Sequence, residues 1–351
     1  MLTQRQQAIL NAVVQYYVHY HEPVGSRTLS KMKGFSLSPA TLRNEMVDLT
    51  EMGYIEQPHT SAGRRPTQKG YRYYVDHLMQ PVPLSAAEVD QIHELLRRAN
   101  EEETELVRQA ARLLATITHH VAVALGPTAQ AQRLQSLQLI PLREQRAVVL
   151  LVTDTGHVQN HTVQLPDDIA VDDLVTLVGR VGDVLKVSLL DELPAKVEQV
   201  LRGYFWDLEW QRGWGEKLKN FMEAAVAQDP DAIPLTLEGT HYVLAQPDGL
   251  SPERAAHLLA FLEEQEGLIA LFRPSVKDPL RVSIGQENGL EPVQEMSVVT
   301  ATFAIGQQPV GTVGVIGPLW MNYARVVSIL ELLAPGLSVT LEKHFGDRRG
   351  T

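Results

Sequence analysis

The chain has 351 residues, enough for two or three domains with apolar cores, and its 44% hydrophobic and 21% charged residues are typical of a globular protein. It contains no cysteine, which excludes disulfides, thiolate metal sites and a cysteine nucleophile. The net charge of −11 is unevenly distributed, because residues 1–76 hold nine Lys or Arg against six Asp or Glu, giving +3 and leaving −14 for the remainder. This asymmetry indicates a small module that faces a polyanion and an acidic body with another role.

The N-terminal sequence carries no targeting signal. Residues 1–10 lack the basic, apolar and small-residue blocks of a signal peptide, and no run of about 18 apolar residues is present to span a bilayer. We therefore expect a cytoplasmic protein with no membrane partner.

Three helices are predicted before residue 53. Apolar residues recur at helical spacing over residues 3–20, with Thr3 as the N-cap. A Glu-Pro-Val-Gly break then leads into a short helix that Ser26 caps and Gly34 stops. Ser38, followed by proline, opens a third helix that ends at Gly53.

Two short extended runs follow, at 54–57 and 64–67, around a loop of Pro, Ser, Ala and Gly. They predict a hairpin with a flexible basic tip, and three helices followed by such a hairpin are typical of the winged helix-turn-helix. A fourth helix is expected to begin near Lys69. The module should end at the linker 80–84, where two prolines in three residues cannot continue a helix.

The third helix carries the candidate base-reading residues. Leu42, Met46 and Leu49 share one face, so the opposite face of the N-terminal half is left for the major groove. Arginine can bind guanine through O6 and N7, and asparagine can bind adenine through N6 and N7. The predicted base-reading residues are Ala40, Thr41, Arg43 and Asn44.

A second set of residues is predicted to bind the DNA backbone. Hydroxyls and free N–H groups at helix starts can hold phosphates, and a basic wing can contact phosphate or the minor groove. The candidates are Ser26, Arg27, Thr28 and Ser38 at helix starts, and His59, Thr60, Ser61, Arg64 and Arg65 on the wing. Each basic residue alone would fit an ordinary solvated surface, but their order in the one positive part of an acidic chain favours DNA binding.

The body is predicted to be a sheet domain with an insertion. A long charged helix is expected over 85–119, followed by strands at 134–142, 147–152 and 157–165. A mainly helical stretch then runs to about 262 and contains a strand pair at 235–238 and 241–244. Late strands are expected at 280–285, 296–305 and 310–316, before a last helix at 322–344. Strands on both sides of a helical block indicate one sheet domain interrupted at about 166–265.

Three tryptophans lie in the predicted insertion. Trp206, Trp210 and Trp214 are spaced by four and so share one helical face. Because aromatic residues dominate interface energetics, we expect this stripe to contribute to a dimer contact, with ordinary core packing as the alternative.

Motifs for catalysis are missing from the sequence. It has no Gly-x-Ser-x-Gly, Walker loop or His-Glu-x-x-His, and the glycines at 311–317 lack the following helix that a dinucleotide site needs. His157 and His161 have no third ligand at a suitable spacing. No enzymatic activity, cofactor or metal is therefore expected.

Five segments are distinctive: Glu22-Pro-Val-Gly-Ser-Arg-Thr-Leu29, Leu37-Ser-Pro-Ala-Thr-Leu-Arg-Asn-Glu-Met46, Gly53-Tyr-Ile-Glu-Gln-Pro-His-Thr-Ser-Ala-Gly-Arg64, Gly70-Tyr-Arg-Tyr-Tyr-Val75 and Ile316-Gly-Pro-Leu-Trp-Met-Asn-Tyr-Ala-Arg-Val326. In these segments the chain resembles the bacterial family of heat-inducible transcription repressors HrcA. Leu319 and Trp320 depart from the family pattern, in which smaller or polar residues are more usual there.

The resemblance implies a homodimeric repressor with a winged helix, a GAF-like domain and a dimerising domain inserted into the GAF-like domain. It further implies binding to double-stranded DNA at an inverted-repeat operator, CIRCE, before chaperone operons, with inactivation by heat and restoration by the GroE chaperonin. A regulator gated by a small molecule in the GAF-like domain is the alternative.

The expected fold class is therefore α+β and multidomain: a winged helix-turn-helix, then a GAF-like antiparallel sheet domain interrupted by a mainly helical inserted dimerisation domain. The predicted boundaries are 1–79 for the winged helix, 80–104 for the linker and the start of the long helix, 105–165 and 266–345 for the GAF-like domain, and 166–265 for the inserted domain.

Overall fold

The structure is a computed structural model, and it describes residues 2–32, 37–59, 62–97, 103–126, 133–153, 158–165, 170–188, 190–204, 220, 234–245, 251–275, 277–306 and 308–347. Within these ranges the chain forms a winged helix, a five-stranded antiparallel sheet with helices on both faces, and a separate three-stranded sheet with its own helices. This arrangement confirms the α+β class.

The winged helix forms where capping and periodicity predict it. Its helices are α1 (Gln4–Tyr20), α2 (Ser26–Leu29), α3 (Pro39–Glu51) and α4 (Gln68–Tyr73), which continues as a π-helical turn over Tyr74–Leu78. A capping box between Thr3 and Gln6 starts α1. The wing strands β1 (Ile55–Glu56) and β2 (Arg65–Pro66) pair antiparallel.

Two helices replace the single long helix predicted over 85–119. They are α5 (Ala86–Arg97) and α6 (Glu103–Thr118), which pack side by side. Each has an apolar stripe, and residues such as Ile92 and Leu114 are fully buried. Folding back buries both stripes, which one straight helix would leave largely in water.

The main sheet has the strand order β7-β3-β10-β9-β8, and all neighbours are antiparallel. Its strands are β3 (Val121–Leu125), β7 (Leu235–Glu238), β8 (Leu280–Ile284), β9 (Met296–Ile305) and β10 (Gln308–Pro318). One face packs on α6 and α11 (Tyr323–Asp347), and the other on α9 (Pro252–Glu263) and α10 (Gln265–Leu271). The strand predicted at 241–244 is instead a 3-10 turn, Thr240–Val243.

The inserted module differs from its predicted boundaries. Strands β4 (Leu134–Pro141), β5 (Arg146–Thr153) and β6 (Val158–Gln164) pair only with one another among the described strands, and they pack on α7 (Val171–Leu185) and α8 (Leu193–Tyr204) around a core of their own. The chain leaves the main sheet after β3 and returns to it at β7. The prediction that 134–165 belongs to the GAF-like domain and that the insertion spans 166–265 is therefore wrong, because alternating burial identifies a strand but not the sheet it joins.

One helix in the described ranges is long and apolar enough to cross a membrane, at Tyr323–Lys343 within α11. The sequence-based expectation of no membrane-spanning run does not extend to this helix. In this fold 56% of that segment is buried, and α11 packs against β9, α5 and α6 as the central helix of the sheet domain.

Candidate nucleic-acid interface

Helix α3 presents the predicted base-reading face to solvent. Ser38 caps it by accepting a hydrogen bond from the Thr41 backbone N–H (3.1 Å), and Pro39 occupies the first turn. The apolar face of α3 is buried against the rest of the module, whereas Ala40, Arg43 and Asn44 are exposed. Thr41 is half-buried, and its hydroxyl lies 2.9 Å from that of Ser38.

The start of α2 lies beside α3 and holds the first group of predicted backbone contacts. Arg27 and Thr28 are exposed and Ser26 is half-buried. The cap of this helix differs from the prediction, because Gly25 is the N-cap and makes no side-chain hydrogen bond, while Ser26 is the first helical residue. The Ser26 hydroxyl is therefore not a cap.

The wing is fastened to the segment that precedes α2. Val24 and Arg64 exchange two backbone hydrogen bonds (2.9 and 2.8 Å), which extend the wing beyond the β1–β2 pair. Gly63 allows this approach, since a Cβ there would lie 2.5 Å from the Val24 carbonyl carbon. His59 is exposed at the tip, and the predicted contacts Thr60 and Ser61 lie outside the described residues.

The two wing arginines point to different surroundings. Arg65 forms a 2.7 Å salt bridge with Glu56 on the neighbouring strand, and although burial lowers its pKa, hydrogen bonds with Glu56 and Tyr17 raise it overall. Arg64 donates instead from Nε to the Thr50 hydroxyl of α3 (3.1 Å). Only Arg64 of this pair faces the recognition helix.

The other arginines of the module also fall into two groups, those with a salt bridge and those without one. Arg5 pairs with Glu45 at 3.2 Å, and Arg72 pairs with Asp76 and Glu287. Arg27, Arg43 and Arg64 form no salt bridge with another described residue. Among the described arginines of the module, those left unpaired thus belong to α2, α3 and the wing, which is the surface predicted to face DNA.

The opposite side of the module is docked on the sheet domain through contacts that no local sequence pattern predicts. Arg72 donates to Glu287, and also to the Val282 carbonyl at 2.7 Å. The centroids of the His21 and Trp320 rings lie 4.1 Å apart, so Trp320, one of the two residues that depart from the family pattern, packs on the winged helix. The winged helix and one side of the main sheet share a continuous apolar core. The base-reading face remains exposed because these contacts come from α4 and from His21, the C-cap of α1.

The tryptophan stripe and a possible metal site are the two remaining features that the sequence raises. Trp206, Trp210 and Trp214 lie outside the described residues. Among the residues that are described, no group of three or more His, Asp or Glu could hold a metal ion.

Comparisons with known proteins cover almost the whole chain. Residues 1–77 match a family model described as the winged helix-turn-helix transcription repressor HrcA DNA-binding domain, and residues 104–327 match the HrcA protein C-terminal domain. The heat-inducible transcription repressor HrcA of Brevibacillus brevis is 37% identical over 98% of this chain and 99% of its own length, and that of Halalkalibacterium halodurans is 38% identical over 97% and 98%.

A crystal structure described as that of a hypothetical protein covers 97% of this chain and 98% of its own, with a TM-score of 0.59 and 24% identity. This likeness concerns the fold alone.

Proposed function

The chain belongs to the family of heat-inducible transcription repressors HrcA, and from this premise we propose that it represses transcription by binding an inverted-repeat operator, the CIRCE element, as a homodimer. The observation that carries the proposal is the exposed face of α3, where Arg43 and Asn44 have no partner among the described residues, on a capped and well-packed helix. In a winged helix this half of the helix enters the major groove.

Base reading and backbone contact are assigned to different residues. Arg43 and Asn44 supply the donors and acceptors for base edges, and Ala40 and Thr41 line the same groove. Arg27, Thr28, Ser26 and Ser38 at the helix starts, with His59, Thr60, Ser61 and Arg64 on the wing, fix the register on the backbone. Arg65 contributes less, because Glu56 already neutralises its guanidinium.

A dimer follows from the small charge of each module. A module of net charge +3 neutralises few phosphates, so its non-specific affinity is low, and useful occupancy needs two modules at the spacing of two half-sites. We assign the dimer contact to the inserted module, whose core is separate from the rest of the chain, with the stripe Trp206, Trp210 and Trp214 as part of it.

Heat would act on this repressor through its stability. Domains are stable by only about 5–15 kcal/mol, so a repressor near the low end loses its folded dimer on modest warming, and the GroE chaperonin would return it to the folded form. The protein would act in the cytoplasm, and no catalytic activity is assigned to it.

The test is a binding titration with the full chain. An inverted-repeat duplex, one half-site and a scrambled duplex are compared at two salt concentrations, at rising temperature and with chaperonin added. We expect tight binding to the inverted repeat alone, lost together with the folded dimer on heating. Equal binding to all three duplexes would contradict the proposal.

A further inference from the structure

Arg64 lies where three parts of the DNA-binding surface meet. Its backbone is paired with Val24, immediately before α2, and its side chain reaches α3 through the hydrogen bond from Nε to the Thr50 hydroxyl (3.1 Å). The residue therefore fills the notch between the wing and the recognition helix, and it is half-buried there.

Thr50 is set up to accept this bond. Its own hydroxyl donates to the Met46 carbonyl at 2.7 Å, so the hydrogen is committed and the oxygen is left to accept from Arg64. Thr50 follows Arg43 by seven residues, or about two helical turns, so the two residues lie on nearly the same side of α3. Thr50 thereby aligns the Arg64 guanidinium with Arg43 along one edge of the helix.

The rest of the Arg64 guanidinium has no acidic partner in the described part of the chain. Arg65, one residue on, is held by Glu56, and Arg5 by Glu45. A guanidinium held at Nε still presents its two terminal nitrogens as a planar fork, which matches the oxygens of a phosphate.

We propose that Thr50 is a positioning residue that holds Arg64 as a phosphate clamp between α3 and the wing. The inference rests on the proposed function, in which α3 reads the major groove and the wing lies by the next stretch of backbone. A contact of this kind adds affinity and fixes register but carries no sequence information.

The test measures DNA affinity of the full chain against salt concentration for Thr50→Val, Thr50→Ser and Arg64→Ala, on the operator and on a scrambled duplex. Thr50→Val should weaken binding to both duplexes by the same factor, roughly three- to tenfold, and reduce the logarithmic salt slope by about 0.9, the loss of one phosphate contact. Thr50→Ser should bind as the wild type does. In the Arg64→Ala background, Thr50→Val should have no further effect.

Several results would overturn the proposal. The proposal is wrong if Thr50→Val binds DNA with wild-type affinity and salt slope. It is also wrong if Thr50→Val reduces the affinity of the Arg64→Ala protein as much as it reduces that of the wild type. Arg64→Lys provides a second test in case the valine variant misfolds, because it keeps the charge but lacks the Nε that Thr50 holds. It should lose DNA affinity by a similar factor, and wild-type affinity of Arg64→Lys would contradict the clamp. A wild-type protein that fails to prefer the operator would instead contradict the proposed function.

Discussion

Arg72 of α4 forms a bidentate salt bridge with Glu287 in the turn after β8, and this pair ties the winged helix to the sheet domain. Burial alone would raise the pKa of Glu287, but the hydrogen bond from Arg72 lowers it overall, so the pair stays charged near neutral pH. Together with the tilted ring contact between His21 and Trp320, it fixes the direction in which the reading face points.

Removal of the Arg72–Glu287 salt bridge should weaken the attachment of the winged helix to the sheet domain. We expect Arg72→Ala to lower the free energy of unfolding by about 1 kcal/mol, because the pair is partly exposed, and to speed proteolysis at the linker 80–84. Arg5→Ala, which breaks the pair with Glu45 inside the module, is the matched control and should leave the linker protected. Equal rates of cleavage in Arg72→Ala and wild type would show that the apolar contacts alone hold the winged helix on the sheet domain.

Gly63 should tolerate no side chain. A Cβ there would meet the backbone of Val24 at 2.5 Å and that of Pro23 at 2.7 Å, so Gly63→Ala should push the wing away from α2. We expect a lower melting temperature and weaker DNA binding. Gly25→Ala is the control, because a Cβ at Gly25 has no neighbour within 4 Å, and similar behaviour of the two variants would refute the steric account.

His120 should make stability depend on pH. Burial lowers its pKa to about 4 from an ordinary 6.5, so between these values the unfolded chain binds a proton that the folded chain does not. The free energy of unfolding should therefore fall as pH falls from about 6.5 to about 4, and the contribution should be constant above that window. Urea titrations should show a shallower pH dependence in His120→Gln, and an unchanged dependence would exclude His120 as its source.

The inserted module offers a matched pair of glycines on α7. A Cβ at Gly182 would lie 2.9 Å from that of Leu137 on β4, whereas one at Gly179 meets nothing within 4 Å. Gly182→Ala should cost about 1–3 kcal/mol of module stability and weaken the dimer in sedimentation, while Gly179→Ala should leave the dimer intact. If Gly182→Ala destabilises the module but the protein still dimerises with wild-type affinity, the dimer contact lies outside the inserted module.

Local signals predicted the winged helix well because they act over a few residues. Ser38 caps α3 through the backbone three residues on, and the buried face of α3 follows from spacing alone. The boundaries of the insertion could not be predicted in this way. Strand β3 is buried on both faces, so its sequence shows no alternation that would predict a strand. Strands β4 to β6 do alternate, but alternation does not reveal which strands pair.

Contacts between distant residues were equally hidden. Arg72 and Glu287 are 215 residues apart, and each alone resembles an ordinary surface charge. The pairing of Arg65 with Glu56 also has no signal in the sequence beyond the hairpin itself, so the sequence alone predicts the same role for the two wing arginines.

Loss of the base-reading side chains should reduce specificity. Arg43→Ala and Asn44→Ala should each cost about 1–3 kcal/mol on the operator and much less on a scrambled duplex, because base contacts exist only with the right sequence. Gel-shift titrations at fixed salt would measure this. An equal loss on both duplexes would mean that these residues contact phosphates.

The most direct test of the account places a DNA-cleaving iron chelate on α3. Because the chain has no cysteine, Val47→Cys gives a unique thiol on the exposed face, where Val47 is 38% accessible, next to the proposed readers. Cleavage should be centred on one major-groove position in each half of the inverted repeat, and Thr116→Cys on α6 should give none. Absence of cleavage by the α3 chelate on a bound operator, or cleavage spread evenly along the DNA, would contradict the claim that α3 reads the sequence.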